Sequence, residues 1–547
     1  MAPYRELDRL HCGPSGYMAD ACKRQRSPSP LASTVAVAAD DAALVRRREE
    51  WEVMEGGSVL LLPPTAAVVE PLVHTREGAG HDLIVKVAAF DMDDTLIKPV
   101  SGGVFAKDDA ADWEWVHPNV CGHLQHVRAR GFLVVLFSNQ MGIGKGSSWN
   151  AKKADAVMSK VLQLSSASGV PLCACVATRE NAWRKPSPRM WKLVEERVNV
   201  CLRATCVDAA ALSAVDCAAY SFYVGDAAGR SAANWAGRKR DFSCADRQFA
   251  YNVQLPFFTP EHFFLTPAES LFQTDDLCSR RGTLPSWTPS SPSSSMRLSD
   301  AMLHLTRTSP ASCKEFSWGD VSPAELQQLP RQYAGLSVRV ITPTAVSTAV
   351  LPAAPPLFAR PTVQEMILFV GYPGCGKSSF FFRHLRPYGY HRASRGTAQT
   401  RVKRLKEAEG LWADGHSVVI DNTNPAAADR QAYIDIVQRV PLARQKTDPA
   451  VGDGEGAVAS PSLLPVRIFV FMHSRGLASH MNRVRAQVQG VSRVPAIAYS
   501  VYQSRLERPS TPAEVAALRI DSVWEVPAVT CFDDAPARTE EIFFQLS

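Results

Sequence analysis

The sequence predicts an α/β protein with two domains, each built on a doubly wound parallel sheet, and a disordered N-terminal region. A chain of 547 residues is too long for one hydrophobic core. Two separate stretches alternate short apolar runs with segments of helical length, the pattern of parallel sheets crossed by helices. We therefore expect a mostly disordered region (1–80), an α/β domain (81–270), a Ser/Pro-rich linker region with short helices (271–360) and a second α/β domain (361–547).

Composition and charge exclude several classes of protein. A hydrophobic fraction of 46% with 21% charged residues is typical of a folded globular chain, and a net charge of +6 permits a polyanionic partner without requiring one. The 13 cysteines form no paired CxxC sets, so we expect neither a zinc module nor a disulfide framework. No apolar run reaches membrane-spanning length and the N-terminus is charged, which predicts a soluble intracellular protein without membrane contact.

The N-terminal region, residues 1–80, mixes Ala, Pro, Ser and charge without sustained periodicity. Its basic cluster KRQR at 23–26 fits two interpretations, a nuclear address and a solvated tail.

The first α/β domain carries acidic side chains where its first strand ends. The apolar run VKVAAF is followed by Asp91 and Asp93 in a D-x-D-x-T arrangement. Such a pair fits a charged turn, but it also suits catalysis in which one carboxylate attacks and the other transfers protons. The remaining strands of the domain decide between these interpretations.

Each of three later strands in this domain is followed by a residue that phosphate chemistry uses. Ser138 and Asn139 end the run FLVVLF, Lys185 follows VPLCACVAT after a short loop, and Asp226 follows AYSFYVG. The carboxyl ends of parallel strands form one crevice, so these side chains can converge on the aspartates.

The predicted chemistry of this site is hydrolysis of a phosphate monoester. Asp91 attacks phosphorus and forms an aspartyl-phosphate, while Asp93 protonates the leaving oxygen and later activates water. Mg²⁺ is expected on Asp91, Asp226 and the backbone carbonyl of Asp93, and Ser138 and Lys185 are expected to bind phosphate oxygens.

The second α/β domain carries a phosphate-binding loop. The strand EMILFVG at 365–371 runs into GYPGCGKS at 371–378, which matches G-x(4)-G-K-[ST] in its required strand–loop–helix context. We predict an ATP site in which Lys377 reaches the terminal phosphates and the Ser378 hydroxyl binds Mg²⁺. The further ATP-binding residues predicted in this loop are Gly371, Gly374, Gly376 and Ser379. The next strand, SVVID, ends in Asp421 and Asn422, which puts a carboxylate near the metal or an acceptor hydroxyl.

The motifs around the first site resemble the haloacid-dehalogenase superfamily and, more specifically, the phosphatase domain of the polynucleotide kinase 3′-phosphatase family. The resemblance is carried by FSNQMGIGKG at 137–146, WRKPSPRMW at 183–191, VGDAAGR at 224–230 and RDFSCADRQFAYNVQLPFFTPEHFFL at 240–265. One departure is Asp94, where that family usually has glycine. The resemblance implies Mg²⁺-dependent removal of the 3′-phosphate from DNA strand-break ends by a monomeric enzyme, in the nucleus, with mitochondria and cytoplasm as alternative compartments.

The second domain resembles the kinase domain of the same family in DNTNP at 421–425 and HMNRVR at 480–485. The resemblance implies phosphoryl transfer from ATP to a DNA 5′-hydroxyl, an acceptor site at Arg395, Asp421 and Asn422, and a lid arginine on the ATP phosphates. Arg483 is the predicted lid arginine, and Arg485 is the second candidate.

One residue of that kinase resemblance is missing. The family carries Asn-Arg-Asp after the helix of the phosphate-binding loop, and its aspartate accepts the proton of the 5′-hydroxyl. Here that position, 25 residues before Asp421, is Gly396 in Ser394-Arg395-Gly396, and no acidic residue lies between Phe382 and Lys406. A positioned base contributes a factor of about 10² to 10⁴, so we expect an impaired kinase.

Three alternatives remain open at this point. Asp421 replaces the base in a fully active bifunctional enzyme, or both sites serve small molecules, or the second domain is a DNA-binding scaffold with a non-catalytic ATP site. The N-terminal region is too poor in apolar periodicity for the phosphopeptide-binding FHA module of the animal enzymes, so recruitment of that type is not expected, although other repair proteins are possible partners.

Overall fold

The computed structural model describes most of the chain from residue 46 to residue 546. The described residues are 46, 48–76, 83–103, 108–145, 148–205, 215–218, 220–230, 240–268, 271, 283–284, 317–360, 362–394, 396, 400–440, 463–533, 536 and 538–546. The KRQR cluster lies outside them, as do the rest of 1–45, most of the Ser/Pro-rich stretch and Arg395.

Strands and helices alternate through the described residues. The strands are β1 (Glu52–Met54), β2 (Val59–Leu62), β3 (Val73–Arg76), β4 (Leu83–Val85), β5 (Val87–Phe90), β6 (Ile97–Lys98), β7 (Glu114–Trp115), β8 (Leu133–Asn139), β9 (Leu172–Ala177), β10 (Phe222–Val224), β11 (Phe257–Phe258), β12 (Thr283–Leu284), β13 (Ser337–Ile341), β14 (Val346–Val350), β15 (Met366–Val370), β16 (His391–Ser394), β17 (Val418–Asp421), β18 (Leu464–Phe471) and β19 (Ile520–Val526). The α-helices are α1 (Ala66–Val69), α2 (Val120–Ala129), α3 (Ala151–Ser168), α4 (Arg189–Thr205), α5 (Ala245–Asn252), α6 (Pro260–Phe264), α7 (Pro323–Gln328), α8 (Lys377–His384), α9 (Arg401–Ala413), α10 (Ala427–Arg439), α11 (Arg475–Gln489), α12 (Ala496–Ser504), α13 (Pro512–Ala517) and α14 (Thr539–Phe544). Short 3-10 helices span Arg48–Glu50, Glu55–Gly57, Glu70–Leu72 and Arg386–Tyr388.

The first sheet places β5, the strand that precedes the paired aspartates, in the middle of its five parallel strands. Its order is β1-β2-β9-β8-β5-β10-β11, and β9, β8, β5, β10 and β11 pair in parallel. Every residue of β5, β9 and β10 is buried, as expected for strands covered by helices on both faces. The carboxyl ends of β5, β8 and β10 therefore meet at one edge.

The second sheet has the same plan around the phosphate-binding loop. Its order is β14-β13-β19-β18-β15-β17-β16, with parallel pairing from β19 through β16. The predicted α/β class is confirmed, with one difference: both sheets end in antiparallel strands, β1 and β2 in the first and β13 and β14 in the second.

Two predicted domain bounds are wrong. The disordered region was expected to reach residue 80, but β2 pairs with β9 and all four of its residues are fully buried. The linker was expected to reach residue 360, but β13 and β14 extend the second sheet and Phe358 packs in its core. Both errors concern short segments that are stabilised by long-range pairing, which local sequence does not reveal.

The two sheets lie in one compact unit, Val45–Ser547, and contact each other through residues 317–321 and the C-terminal helix. The backbone N–H of Ser317 donates to the carbonyl of Gly229 (2.8 Å), and Gln248 donates to the carbonyl of Trp318 (2.8 Å). Across the same contact, Asn252 donates to the carbonyl of Leu546 (2.8 Å). Within the described part of the chain, no helix is both long and apolar enough to cross a membrane.

Candidate active sites

The first site begins where β5 ends. The backbone N–H of Asp91 donates to the carbonyl of Val224 in β10 (2.9 Å), so the ends of β5 and β10 stay side by side. The chain then turns, and Asp94 adopts a left-handed conformation with φ of 55°. This backbone suits glycine best and aspartate better than most residues, which explains how Asp94 occupies a position where the family usually has glycine.

Lys185 joins the acidic groups of this site. Its Nζ lies 2.5 Å from Asp91 Oδ1 and 2.6 Å from Asp246 Oδ1, and it donates to the Tyr223 hydroxyl at 3.0 Å. The Tyr223 hydroxyl in turn donates to Asp246 at 3.1 Å. Burial acts to lower the pKa of Lys185, but Asp246 and Asp91 outweigh it and raise that pKa, so the lysine remains a cation.

Asp91, Asp226 and Asp246 form a cluster in which carboxylate oxygens lie within 4.8 Å of one another. Burial raises the pKa of Asp91 to about 8 despite Lys185, and burial together with Asp246 and Asp91 raises the pKa of Asp226. Thr95 supports the cluster, because its hydroxyl donates to Asp226 (3.3 Å) and accepts from the Asp226 N–H (3.0 Å). Three carboxylates beside one lysine leave negative charge that a divalent cation would balance, so this oxygen donor set fits Mg²⁺.

Asp93 and Ser138 are connected through Gln140. The Gln140 amide donates to Asp93 Oδ2 at 2.5 Å and to the Ser138 hydroxyl at 3.1 Å. Burial raises the pKa of Asp93, although the Gln140 hydrogen bond acts against this. Since Gln140 occupies one carboxyl oxygen, the other is free to carry a proton toward a leaving group. Asn139 contacts the backbone of Lys185 instead, because its side chain accepts a hydrogen bond from the Lys185 N–H at 2.9 Å.

The second site lies between β15 and α8. Gly374 and Gly376 adopt φ values of +78° and +82°, which only glycine tolerates freely, and the loop they form leads into the helix at Lys377. Lys377 Nζ donates to the carbonyls of Gly371 (3.0 Å) and Tyr372 (2.6 Å). The Ser378 hydroxyl donates to Asp421 Oδ2 at 2.7 Å, so the predicted metal ligand and the carboxylate of β17 are in contact.

A cavity of about 530 Å³ opens beside this loop. The phosphate-binding residues Gly374, Gly376, Lys377, Ser378 and Ser379 line one side. Further lining comes from α11 and from residues 529–532, 536 and 539, which follow β19. Its size and its mixed apolar and cationic lining suit a nucleotide.

Asp421 is engaged by two partners in the predicted acceptor region. Besides Ser378, the guanidinium of Arg392 on β16 lies 3.2 Å from Asp421 Oδ2. Gly396 is exposed two residues beyond β16, Asn422 is half-buried, and Arg395 lies outside the described residues. Both contacts fall on Asp421 Oδ2, so this carboxylate is already committed to Ser378 and Arg392 and is poorly placed to replace the base absent at Gly396.

The structure does not place Arg483 in the cavity. Its guanidinium forms an ion pair with Asp320 at 2.7 Å, on the side of α11 that faces the first sheet. Arg485 lines the cavity and donates to Asn482 at 3.0 Å. The structure therefore favours Arg485, the second candidate, over Arg483 as the lid arginine, because residues two apart on a helix point in nearly opposite directions.

Several site residues were missed by sequence reasoning. Asp246, Tyr223, Gln140 and Arg392 each touch a predicted site residue. Gln140 lies inside the quoted motif FSNQMGIGKG and Asp246 inside RDFSCADRQF, but neither has a spacing that singles it out. The signal that could have found Asp246 is an acidic residue in the first turn of α5.

The fold and these two sites define a class of α/β protein that carries a carboxylate and lysine cluster suited to phosphate chemistry in one domain and a phosphate-binding loop in the other. Comparison with known proteins narrows this class. The family described as polynucleotide kinase 3 phosphatase matches residues 86–264. The chain belongs to this family.

Three relatives illustrate the range of similarity. A bifunctional polynucleotide phosphatase/kinase of Schizosaccharomyces pombe is 27% identical over 425 residues, which are 78% of this chain and 76% of the relative. An uncharacterised 20.8 kDa protein of Autographa californica nuclear polyhedrosis virus is 35% identical over 179 residues, 32% of this chain and 85% of the relative. The polynucleotide 3′-phosphatase ZDP of Arabidopsis thaliana is 33% identical over 199 residues, 34% of this chain and 25% of the relative.

Proposed function

We propose that the chain is a Mg²⁺-dependent 3′-phosphatase of DNA strand-break ends, joined to an ATP-binding 5′-kinase domain whose phosphoryl transfer is impaired. The observation that carries the first half is the contact of Lys185 with Asp91 and Asp246 (2.5 and 2.6 Å) beside Asp226. One cation and a carboxylate cluster at the carboxyl edge of a parallel sheet suit attack on a phosphate ester. The choice of polynucleotide over small-molecule substrates is supported by the names of the relatives.

The chemistry can be assigned to the chain's own side chains in two steps. First, an Asp91 carboxylate oxygen bonds to phosphorus while the bond to the DNA 3′-oxygen breaks, and Asp93 gives its proton to that oxygen. Second, Asp93 takes a proton from water, whose oxygen attacks the aspartyl-phosphate, releasing inorganic phosphate and restoring Asp91. The raised pKa of the buried Asp93 supports its first role, since the group must start protonated.

The metal would be held by Asp91, Asp226 and the backbone carbonyl of Asp93, with Asp246 beside them. When bound, Mg²⁺ supplies positive charge that favours the ionised form of Asp91 and offsets its repulsion of the phosphate. Lys185 and Ser138 are proposed to hold phosphate oxygens, and Gln140 to orient Asp93.

This half of the proposal is tested by phosphate release from a 3′-phosphorylated oligonucleotide and from a set of small phosphate monoesters. We expect Mg²⁺-dependent release that favours the oligonucleotide by orders of magnitude, and its loss in Asp91→Asn. A preference for small monoesters would instead support a metabolite phosphatase.

For the second domain we propose that ATP and Mg²⁺ bind but transfer to a DNA 5′-hydroxyl is weak. Lys377, the contact between Ser378 and Asp421, and the adjoining cavity support nucleotide binding. Gly396 and the engagement of Asp421 by Arg392 support the loss of the base. The test is transfer from labelled ATP to a 5′-hydroxyl oligonucleotide, alongside a direct measurement of ATP binding, and vigorous transfer by the unmodified chain would contradict this half.

The same observations favour a second candidate, in which the domain is a DNA-binding scaffold that keeps ATP as a structural ligand. ATP binding that strengthens DNA binding without turnover would distinguish it. For either candidate we propose a nuclear, monomeric protein whose partners are DNA ends with 3′-phosphate and 5′-hydroxyl groups.

A further inference from the structure

A histidine outside every motif considered so far lies in the wall of the nucleotide cavity. His473 follows β18 by two residues, and β18 pairs with β15, the strand that carries the phosphate-binding loop. The residue is 8% exposed and lines the cavity together with Lys377, Ser378 and Arg485. Its position is therefore fixed by the same two strands that fix the phosphate-binding loop.

The ring of His473 has an unsatisfied nitrogen. Among the residues described here, none offers a hydrogen-bond partner to its buried Nδ1. The ring lies near Phe471, with centroids 6.3 Å apart, and this aromatic neighbour supplies no hydrogen-bond partner. A buried polar atom without a partner is costly, so a ligand that provides one is bound more tightly.

The charges around the cavity specify the sign of that ligand. Its described lining contains the cations Lys377, Arg383 and Arg485 and no aspartate or glutamate. Burial and the charge of Lys377 lower the pKa of His473 to about 4, so the ring is neutral at pH 7 and offers one N–H donor. A neutral donor beside these cations matches the oxygen of an anionic phosphate group rather than a metal ion or another cation.

We propose that His473 is a nucleotide-binding residue that donates a hydrogen bond from its ring to a phosphate oxygen of the nucleotide held by the phosphate-binding loop. The inference rests on the proposed ATP site. It adds a phosphate contact from the end of β18, whereas Asp421 lies on β17. Because β18 and β17 flank β15 on opposite sides, His473 and Asp421 approach the loop from two directions.

The test measures binding of ADP and of adenosine to the full chain by calorimetry. His473→Ala is expected to weaken ADP about tenfold, the usual worth of a hydrogen bond to a charged group, and to leave adenosine unchanged. His473→Asn keeps an N–H donor near the position of Nδ1 and should restore ADP affinity to within about twofold. His391→Ala, which removes an exposed histidine of β16, is the matched control and should change neither ligand.

Each other outcome counts against the proposal in a distinguishable way. Equal ADP affinity in the unmodified chain and His473→Ala would overturn it while leaving the ATP site intact. Equal losses for ADP and adenosine would mean that the ring contacts the base, which also overturns it. Failure of the unmodified chain to bind ADP would overturn both this inference and the proposed kinase site.

A second measurement avoids any failure of the variants to fold. In the unmodified chain, the ¹⁵N resonance of His473 Nδ1 should shift on addition of ADP and stay in place with adenosine. An Nδ1 resonance unmoved by saturating ADP would overturn the proposal.

Discussion

Gly396→Asp should restore phosphoryl transfer to the second domain. Gly396 has a φ outside the left-handed region, so an aspartate meets no backbone strain there. A Cβ added at this position meets a single described atom within 4 Å, the Ser394 hydroxyl at 3.5 Å, which is an ordinary contact. Ser394 pairs with Asp421 across β16 and β17, so a carboxylate two residues further on would lie beside the predicted acceptor region.

The size of the gain follows from what a general base contributes. A positioned base accelerates proton transfer by about 10² to 10⁴, equivalent to about 3 to 5 kcal/mol of activation free energy. Because Ser378, Asp421 and the cavity are already assembled, the substitution has only the base to supply. We therefore expect a rate increase of at least about 10² over the unmodified chain.

The assay is transfer of labelled phosphate from ATP to a 5′-hydroxyl oligonucleotide, with ATP binding measured on the same samples. Gly396→Asn is the matched control, because it has the size of aspartate but cannot accept a proton as a carboxylate does. The reasoning is refuted if Gly396→Asp and Gly396→Asn transfer at the same rate while both bind ATP normally. It is equally refuted if the unmodified chain already transfers as fast as Gly396→Asp.

Three further predictions concern single side chains. Arg485→Ala should weaken ATP binding about tenfold in calorimetry. Arg483→Ala, which loses the ion pair with Asp320, should lower the unfolding free energy by about 1 to 3 kcal/mol in denaturant unfolding, with little change in ATP affinity. If instead Arg483→Ala weakens ATP binding and Arg485→Ala lowers stability, Arg483 is the lid residue. Asp246→Asn should raise the Mg²⁺ concentration needed for half-maximal phosphate release, since it removes one charge from the carboxylate cluster, and an unchanged Mg²⁺ dependence would count against that role. Burial lowers the pKa of His480 to about 4, below the unfolded value of 6.5, so the stability that its neutral form contributes is present above pH 6.5 and is lost as pH falls toward 4. In urea unfolding between pH 7 and pH 5, the unmodified chain should lose about 2 kcal/mol more unfolding free energy than His480→Gln. Equal losses in the two proteins would contradict the lowered pKa of His480.

The central strands, and the positions of the proposed catalytic residues at their ends, could be predicted from sequence because each is local. Buried parallel strands such as β5 and β15 are continuous apolar runs, and the residues that follow them are read directly from the chain. The order of the strands then brings Asp91 and Lys185 together by a general property of parallel sheets, without knowledge of any single contact.

The edges of the sheets and the faces of the helices could not be predicted in this way. The segment VLLL of β2 is four residues long, and only its pairing with β9 makes it a strand. Arg483 and Arg485 differ by two positions on α11, so the choice between them depends on which face of the helix packs against Asp320. Asp246 reaches the first site from α5. No rule of sequence spacing relates its position in the chain to that of Asp91.

The central claim is that Asp91 is the nucleophile of a DNA 3′-phosphatase. The most direct test mixes the unmodified chain with an oligonucleotide carrying a ³²P-labelled 3′-phosphate, quenches with acid within one turnover and maps the labelled peptide. The account predicts acid-stable label on the peptide containing Asp91 and its absence in Asp91→Asn. Release of phosphate by Asp91→Asn at the unmodified rate, or label on a different peptide, would contradict the account.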